Sequence, residues 1–197
     1  MKPVVLASQS QSRAALLSAA GVVFSKVSSG VDEDAIKQRM LAECAGPKAI
    51  AEALGEAKAV AVSNKTTGLV IGADQTLDLA GELFDKAANV DEARQRLVAM
   101  RGRTHQLHGG LVVAEEGRVV WRHAESSTLT MRDFSDAFLD AYLARHGQAV
   151  LSSVGCYHLE GAGAQLFERI EGDYFAILGL PLLPLLAFLR EQGAIAS

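Results

Sequence analysis

The chain has 197 residues, 49% of them hydrophobic, enough to bury one sizeable core or a single domain with two lobes. Charged residues make up 21%, mixed in sign, with a formal net charge of −4. The missing basic field excludes a generic nucleic-acid or membrane-surface binder, but not a small anionic ligand held by a few placed cations.

Two cysteines, Cys44 and Cys156, are too few for a disulfide framework and lack metal-ligand spacing, so they read as reduced thiols of a cytoplasmic protein. The longest apolar run, residues 174–189, is broken by Gly179, Pro181 and Pro184. It falls short of the roughly 20 residues a membrane span needs and reads as a buried strand followed by a helix. No targeting segment is visible, because the apolar piece at residues 3–7 is too short for a signal-peptide core.

Residues 3–7 read as a first buried strand, followed by a polar stretch with Ser8, Ser10, Ser12 and Arg13, and then a helical pattern. Hydroxyl residues before such a pattern are N-cap signals. A strand feeding a helix N-terminus also offers free N–H groups and a positive dipole end, which suits phosphate. Arg13 is either a solvated side chain or a further phosphate contact. Residues 22–27 are a candidate second strand. The run Asp32-Glu33-Asp34 is either the acidic start of a helix or a source of oxygen ligands for a hard cation such as Mg²⁺.

Residues 47–63 are Ala-rich with Pro47 at the start, which predicts a helix carrying Lys48 and Lys58. Residues 68–76 follow: an apolar run out of Gly68 that breaks at Gly72 and then presents Asp74. Such a run reads as a strand buried on both faces and ending near Asp74. Ligands gather outside the carboxyl ends of these strands in open α/β sheets, yet Asp after Gly is also a common turn residue.

Alternation around Gly81 predicts a hairpin whose second strand delivers Lys86 back toward Asp74. Residues 91–100 and 133–146 read as helices. Residues 104–114 and 118–123 form a hairpin pattern around Glu115-Glu116-Gly117, extended by 126–131. A Gly-rich segment, 154–163, carries Glu160, a second candidate site carboxylate. The five histidines show no HExxH spacing, and there is neither a nucleophile elbow nor a Walker-type loop. No repeat or linker-like shift divides residues 1–197, which read as one domain.

These pieces, in this order, resemble the Maf-like nucleoside triphosphate pyrophosphatases, relatives of the inosine-triphosphate pyrophosphatases. The match includes Leu6-Ala7-Ser8, Ser10, Arg13 and Leu16-Leu17, the Val31-Asp32-Glu33 loop, Ala57-Lys58-Ala59, Ile71-Gly72-Ala73-Asp74 and Lys86. It continues through Gly102 with His105, Gly155 with Tyr157, Ile170-Glu171-Gly172-Asp173-Tyr174 and Gly179-Leu180-Pro181-Leu182, covering nearly the whole chain. The resemblance implies a single α/β domain with a central twisted mixed sheet, flanking helices and two lobes around a deep cleft, often as a homodimer. It implies cleavage of a nucleoside triphosphate between its α- and β-phosphates. In that reading Asp74 is the proton acceptor that activates water, and Glu33 and Asp74 hold a divalent metal, Mg²⁺ or Mn²⁺. Ser8, Arg13, Lys58 and Lys86 hold the triphosphate. A nucleotide-binding regulator of cell division, with little turnover, is the alternative.

The chain departs from the common family pattern at Gln11, Ser12 and Ala87. Relatives selective for dTTP and UTP carry Thr after the catalytic Asp, and a Lys and a Gln in the late Gly-rich loop. Here those positions are Gln75, Ser153 and Glu160. Gln75 with Glu160 resembles the subgroup that favours 7-methyl-GTP, whereas Ser12, the third position bearing on the base, lacks an aromatic ring to stack on it. A guanine edge presents N–H donors that a carboxylate accepts, and the methylated base carries a positive charge.

Overall fold

The computed structural model describes residues 1–196. Its sheet is organised around β3 (Leu69–Leu79), which follows β1 (Val4–Leu6), α1 (Gln11–Ala19), β2 (Ser25–Lys26), α2 (Glu33–Ala42) and α3 (Pro47–Ser63). Next come β4 (Glu82–Phe84), α4 (Val90–Met100), β5 (Thr104–Glu115), β6 (Arg118–Met131) and α5 (Asp136–Val150). A 3₁₀ turn (Ala162–Leu166), β7 (Phe167–Glu171), α6 (Tyr174–Ile177) and α7 (Leu182–Glu191) complete the chain. The strands form one seven-stranded sheet in the order β2-β1-β3-β5-β6-β7, with β4 also on β3. β1 runs parallel to β2 and β3, and the other pairings are antiparallel. The expected mixed α/β sheet flanked by helices is what the chain forms.

One edge of β3 changes partner partway along. β1 pairs with residues 69–71 and β4 with residues 77–79, while β5 covers the opposite edge from Val70 to Asp78. Gly72–Thr76 therefore lies between two edge partners, and the sheet opens there. Each half of β3 supports its own core. Leu69, Ile71 and Ala73 pack with α1 and α7 through Leu17, Leu185 and Phe188. Leu77 and Leu79 pack with α4 and α5 through Leu97, Leu139 and Tyr142. These two cores are the two lobes.

The remaining face of β3 and β5 carries α3, and glycines set the spacing. A β-carbon at Gly55 would stand 2.7 Å from the Gly110 carbonyl oxygen, and one at Gly72 would overlap the backbone of Gly55 and Ala59. Helix and sheet therefore meet backbone to backbone, without side chains between them. Thr76 Oγ donates to the Pro47 carbonyl at 2.9 Å and ties down the start of α3.

Several local expectations change. β3 does not end at Asp74 but runs five residues past it, because β5 pairs continuously along its far edge. The strand expected at 22–27 shrinks to β2, at the margin of the sheet. The start of the 174–189 run is the short helix α6, not a strand: the Asp173 side chain accepts from Ala176 N at 2.8 Å, and Gly179 (φ 99°) ends the segment. The helix expected at 133–146 begins at Asp136, capped by Ser135. No helix among the described residues is long and apolar enough to cross a membrane.

Candidate active site

A cleft of about 1280 Å³ opens where β3 passes from β1 to β4. Asp74, Gln75, Lys58 and Glu33 line it, as do Ser8, Ser12 and Arg13 from the β1–α1 segment. Lys86 and Glu160 complete the set expected from the sequence. The structure thus brings residues spread over most of the chain to one wall-to-wall site.

Asp74 and Lys58 form its floor. Even positions of β3 face α3, as Val70 does beneath Val62, so Asp74 points at that helix. Lys58, one turn beyond Gly55 on α3, is only 6% exposed and donates to Asp74 Oδ1 at 2.6 Å. The glycine seam is what permits this approach. A lysine on a helix normally reaches solvent; this one is buried because α3 lies flush on the sheet.

Glu33 is the first residue of α2, behind the N-cap Asp32, which accepts from Ala35 N at 3.0 Å. The acidic run is therefore the helix start, and it also supplies the site: Glu33 Oε2 lies 2.9 Å from Lys58 Nζ. One ammonium bridges two carboxylates, which leaves one negative charge uncompensated at this point.

Arg13 is buried and largely committed within the protein. Its Nε donates to the Gly179 carbonyl at 2.8 Å and its Nη1 to Ser8 Oγ at 3.2 Å. Burial pushes its pKa down, opposed by the nearby charges of Asp74 and Glu33; a guanidinium stays charged in a protein. Ser8 Oγ also accepts from Ser10 N, and Ser10 caps α1 by accepting from Arg13 N. The first turn of α1, with Ser12 half-buried, therefore opens onto the cleft.

Gln75 points to the face opposite Asp74. Its Nε2 donates to the carbonyls of Ala176 and Ile177 at 2.9 and 3.2 Å. Two carbonyls around one end of the amide identify that end as nitrogen, so the remaining capacity of Gln75 is an acceptor, Oε1. Gln75 and Arg13 together grip the turn at residues 176–179. Lys86 and Glu160 are exposed on the cleft walls, and neither has an ion-pair partner among the described residues.

Lys37 also lines the cleft, and nothing in the sequence pattern singles it out except its spacing. It stands four residues after Glu33 on α2, hence on the same helix face. His105 and Tyr157 form a second buried pair beside the cleft, His105 Nε2 to Tyr157 Oη at 2.8 Å. Burial holds the His105 pKa down at about 4, so its ring is neutral.

Among the described residues no three His, Cys, Asp or Glu side chains gather as a protein-only metal cage. Two convergent carboxylates remain, and this donor set fits a hard cation that keeps waters and takes substrate oxygens, as Mg²⁺ does, better than zinc. Of the charged groups on the cleft wall, Arg13, Lys37, Lys58 and Lys86 face Glu33, Asp34, Asp74, Asp85 and Glu160. Carboxylates outnumber cations by one, so the protein's own cations do not leave the cleft with a net positive charge for a polyanion.

Residues 3–192 match the family described as Maf-like protein. The chain is 60% identical over 195 residues to a nucleoside triphosphate pyrophosphatase of Caulobacter vibrioides, covering 99% of this chain and 98% of that one. It is 49% identical to a 7-methyl-GTP pyrophosphatase of Brucella suis, over 98% of this chain and 97% of that one. It is equally similar to the 7-methyl-GTP pyrophosphatase of Rhizobium meliloti, at 49% over 99% of each chain. With collinear motifs, the mixed sheet and an Asp74–Lys58–Glu33 cluster in its opening, the chain belongs to the Maf-like protein family.

Proposed function

We propose that the protein hydrolyses a nucleoside triphosphate to the monophosphate and pyrophosphate in a cytoplasmic nucleotide pool. Water oxygen bonds to the α-phosphorus, the bond from that phosphorus to the α–β bridging oxygen breaks, and the water proton passes to Asp74. The observation that carries this reading is the cluster at the sheet opening: Lys58 holds Asp74 Oδ1 and Glu33 Oε2 together at the floor of a cleft large enough for a nucleotide. With Oδ1 held, Oδ2 is the oxygen that accepts the proton. Phosphoryl transfer asks the protein mainly for positioning and charge neutralisation. Lys86 and the unengaged Nη2 of Arg13 supply these at the phosphates, with Ser8 bracing Arg13.

Glu33 and Asp74 would hold the divalent cation, which when bound lowers the pKa of its water and offsets phosphate charge. The excess of carboxylates over cations in the cleft supports that requirement.

For the base, we infer a guanine and specifically 7-methylguanine. Gln75 has spent its donors on Ala176 and Ile177 and retains only an acceptor, and Glu160 is acceptor-only. Both suit the N1–H and N2–H₂ donors of guanine, and Glu160 also favours the cationic methylated ring. The relatives named 7-methyl-GTP pyrophosphatase support the same choice.

A panel of 7-methyl-GTP, dTTP, UTP and ITP with Mg²⁺ or Mn²⁺, products resolved by phosphorus NMR, tests both levels. Pyrophosphate and monophosphate are expected, abolished by chelator, with 7-methyl-GTP turned over fastest. Orthophosphate as the sole inorganic product, or binding without turnover, contradicts the reaction. Equal or better turnover of dTTP contradicts the base assignment.

A further inference from the structure

α2 is unlike the other long helices: none of its residues is buried. Two ion pairs link its inward face to the site, Glu33 to Lys58 at 2.9 Å and Lys37 to Asp85 at 2.5 Å. Asp85 directly precedes Lys86, on the lobe built around the outer half of β3. The Lys37–Asp85 pair therefore spans the cleft between α2 and the β4 end.

The two partners are unequally placed. The Lys37 side chain is 19% exposed and lines the cleft, while Asp85 is 58% exposed. Asp34, the other carboxylate near Lys37, lies 3.8 Å away and is 86% exposed. A carboxylate so open to water is solvated readily when its partner leaves, and such pairs hold weakly. The other cations are not equally available: Lys58 is shared between two carboxylates, and Arg13 has Nε and Nη1 committed to Gly179 and Ser8. Burial lowers the pKa of Lys37, but the hydrogen bond and charge of Asp85, with the charges of Asp74 and Asp34, outweigh it. The ammonium therefore stays charged, and Asp74 is near enough to act on it.

We infer that Lys37 is a triphosphate-binding residue held in reserve by Asp85, and that it exchanges this carboxylate for the β- and γ-phosphates as substrate enters. The exchange draws α2 onto the triphosphate, carrying Glu33 with it, since the two side chains share one helix face. Asp85 then turns to solvent, and no new carboxylate is buried.

The inference rests on the triphosphate reading, and steady-state kinetics of pyrophosphate release separate the two. Wild type, Lys37→Met, Asp85→Asn and the double variant are compared on the best nucleotide of the panel, with inorganic pyrophosphate as inhibitor. Lys37→Met is expected to raise KM and the pyrophosphate inhibition constant about tenfold, the loss of one charge-assisted contact. Asp85→Asn lowers both, and the double variant matches Lys37→Met, because the gain acts through Lys37. Unchanged constants in Lys37→Met overturn the inference, as does Asp85→Asn raising KM or still lowering it in the Lys37→Met background. If Lys37→Met does not fold, the sign of the Asp85→Asn effect decides. A wild-type protein that releases no pyrophosphate contradicts the reaction itself.

Discussion

α2 and α3 meet the same carboxylate cluster in opposite ways. α3 buries eight residues, among them Ile50, Leu54, Gly55, Lys58 and Val62, and lies against β3 and β5 with glycines at the contact. α2 buries none and reaches the cluster only through charged side chains. The first arrangement buries Lys58 against Asp74 on a helix that is itself packed on the sheet. The second leaves Glu33 and Lys37 on ion pairs that are partly open to water, the kind a charged ligand can replace. Taking up and releasing a highly charged ligand calls for both: a buried floor that holds its geometry and a wall of weaker, more exposed contacts.

The strongest way to break this contrast is to push α3 off the sheet. Gly72→Ala places a β-carbon into the backbone of Gly55 and Ala59, where no flexible side chain can yield. We expect a loss of about 3 kcal/mol or more, and a Tm lower by roughly 10 °C. An unchanged Tm would show that the seam is looser than described.

A comparable effect comes from pH. The His105 ring is 1% exposed, and burial lowers its folded pKa to about 4, below the ordinary 6.5. Its contribution is fully present above pH 6.5 and is lost as pH falls toward 4, because only the unfolded chain takes up the proton in that window. The loss is roughly 3 kcal/mol between pH 7 and pH 4. Urea unfolding of wild type and His105→Gln over that range should show a slope that the variant partly removes. Equal slopes would mean that the ring is not held neutral.

The smallest effect belongs to α2. Asp32→Ala removes the cap on Ala35 N and should cost the helix about 1 kcal/mol. Hydrogen exchange should show α2 amides opening about fivefold more often while the global Tm stays put. A matching fall in Tm would mean that α2 unfolds with the core, contrary to the contrast with α3.

The sequence carried the elements with strong local signals. Pro47 and the Ala-rich run predict α3 to its observed bounds, and the Glu116-Gly117 turn marks the β5–β6 hairpin. Motif resemblance placed Ser8, Arg13, Lys58, Asp74 and Lys86 around one cleft, where the structure has them. What was not legible is tertiary. The run through Asp74 looks like a strand end because Gly72 interrupts its apolar character, yet Gly72 is there for the approach of α3, and β5 carries the strand onward. The tie from Gln75 to α6 crosses 101 residues and leaves no local trace. Lys37 had one legible sign, its four-residue spacing from Glu33, but pairing with Asp85 is visible only once β4 folds back beside α2.

The central claim is that Asp74 takes the water proton while Lys58 holds it in place. Asp74→Asn keeps an oxygen for Lys58 to donate to and removes the base. Pyrophosphate release by this variant, measured with Mg²⁺ on the best substrate alongside its circular dichroism spectrum, tests the claim most directly. The account predicts a loss of roughly 10²–10⁴-fold with the fold unchanged. A variant that stays within tenfold of wild type would contradict it.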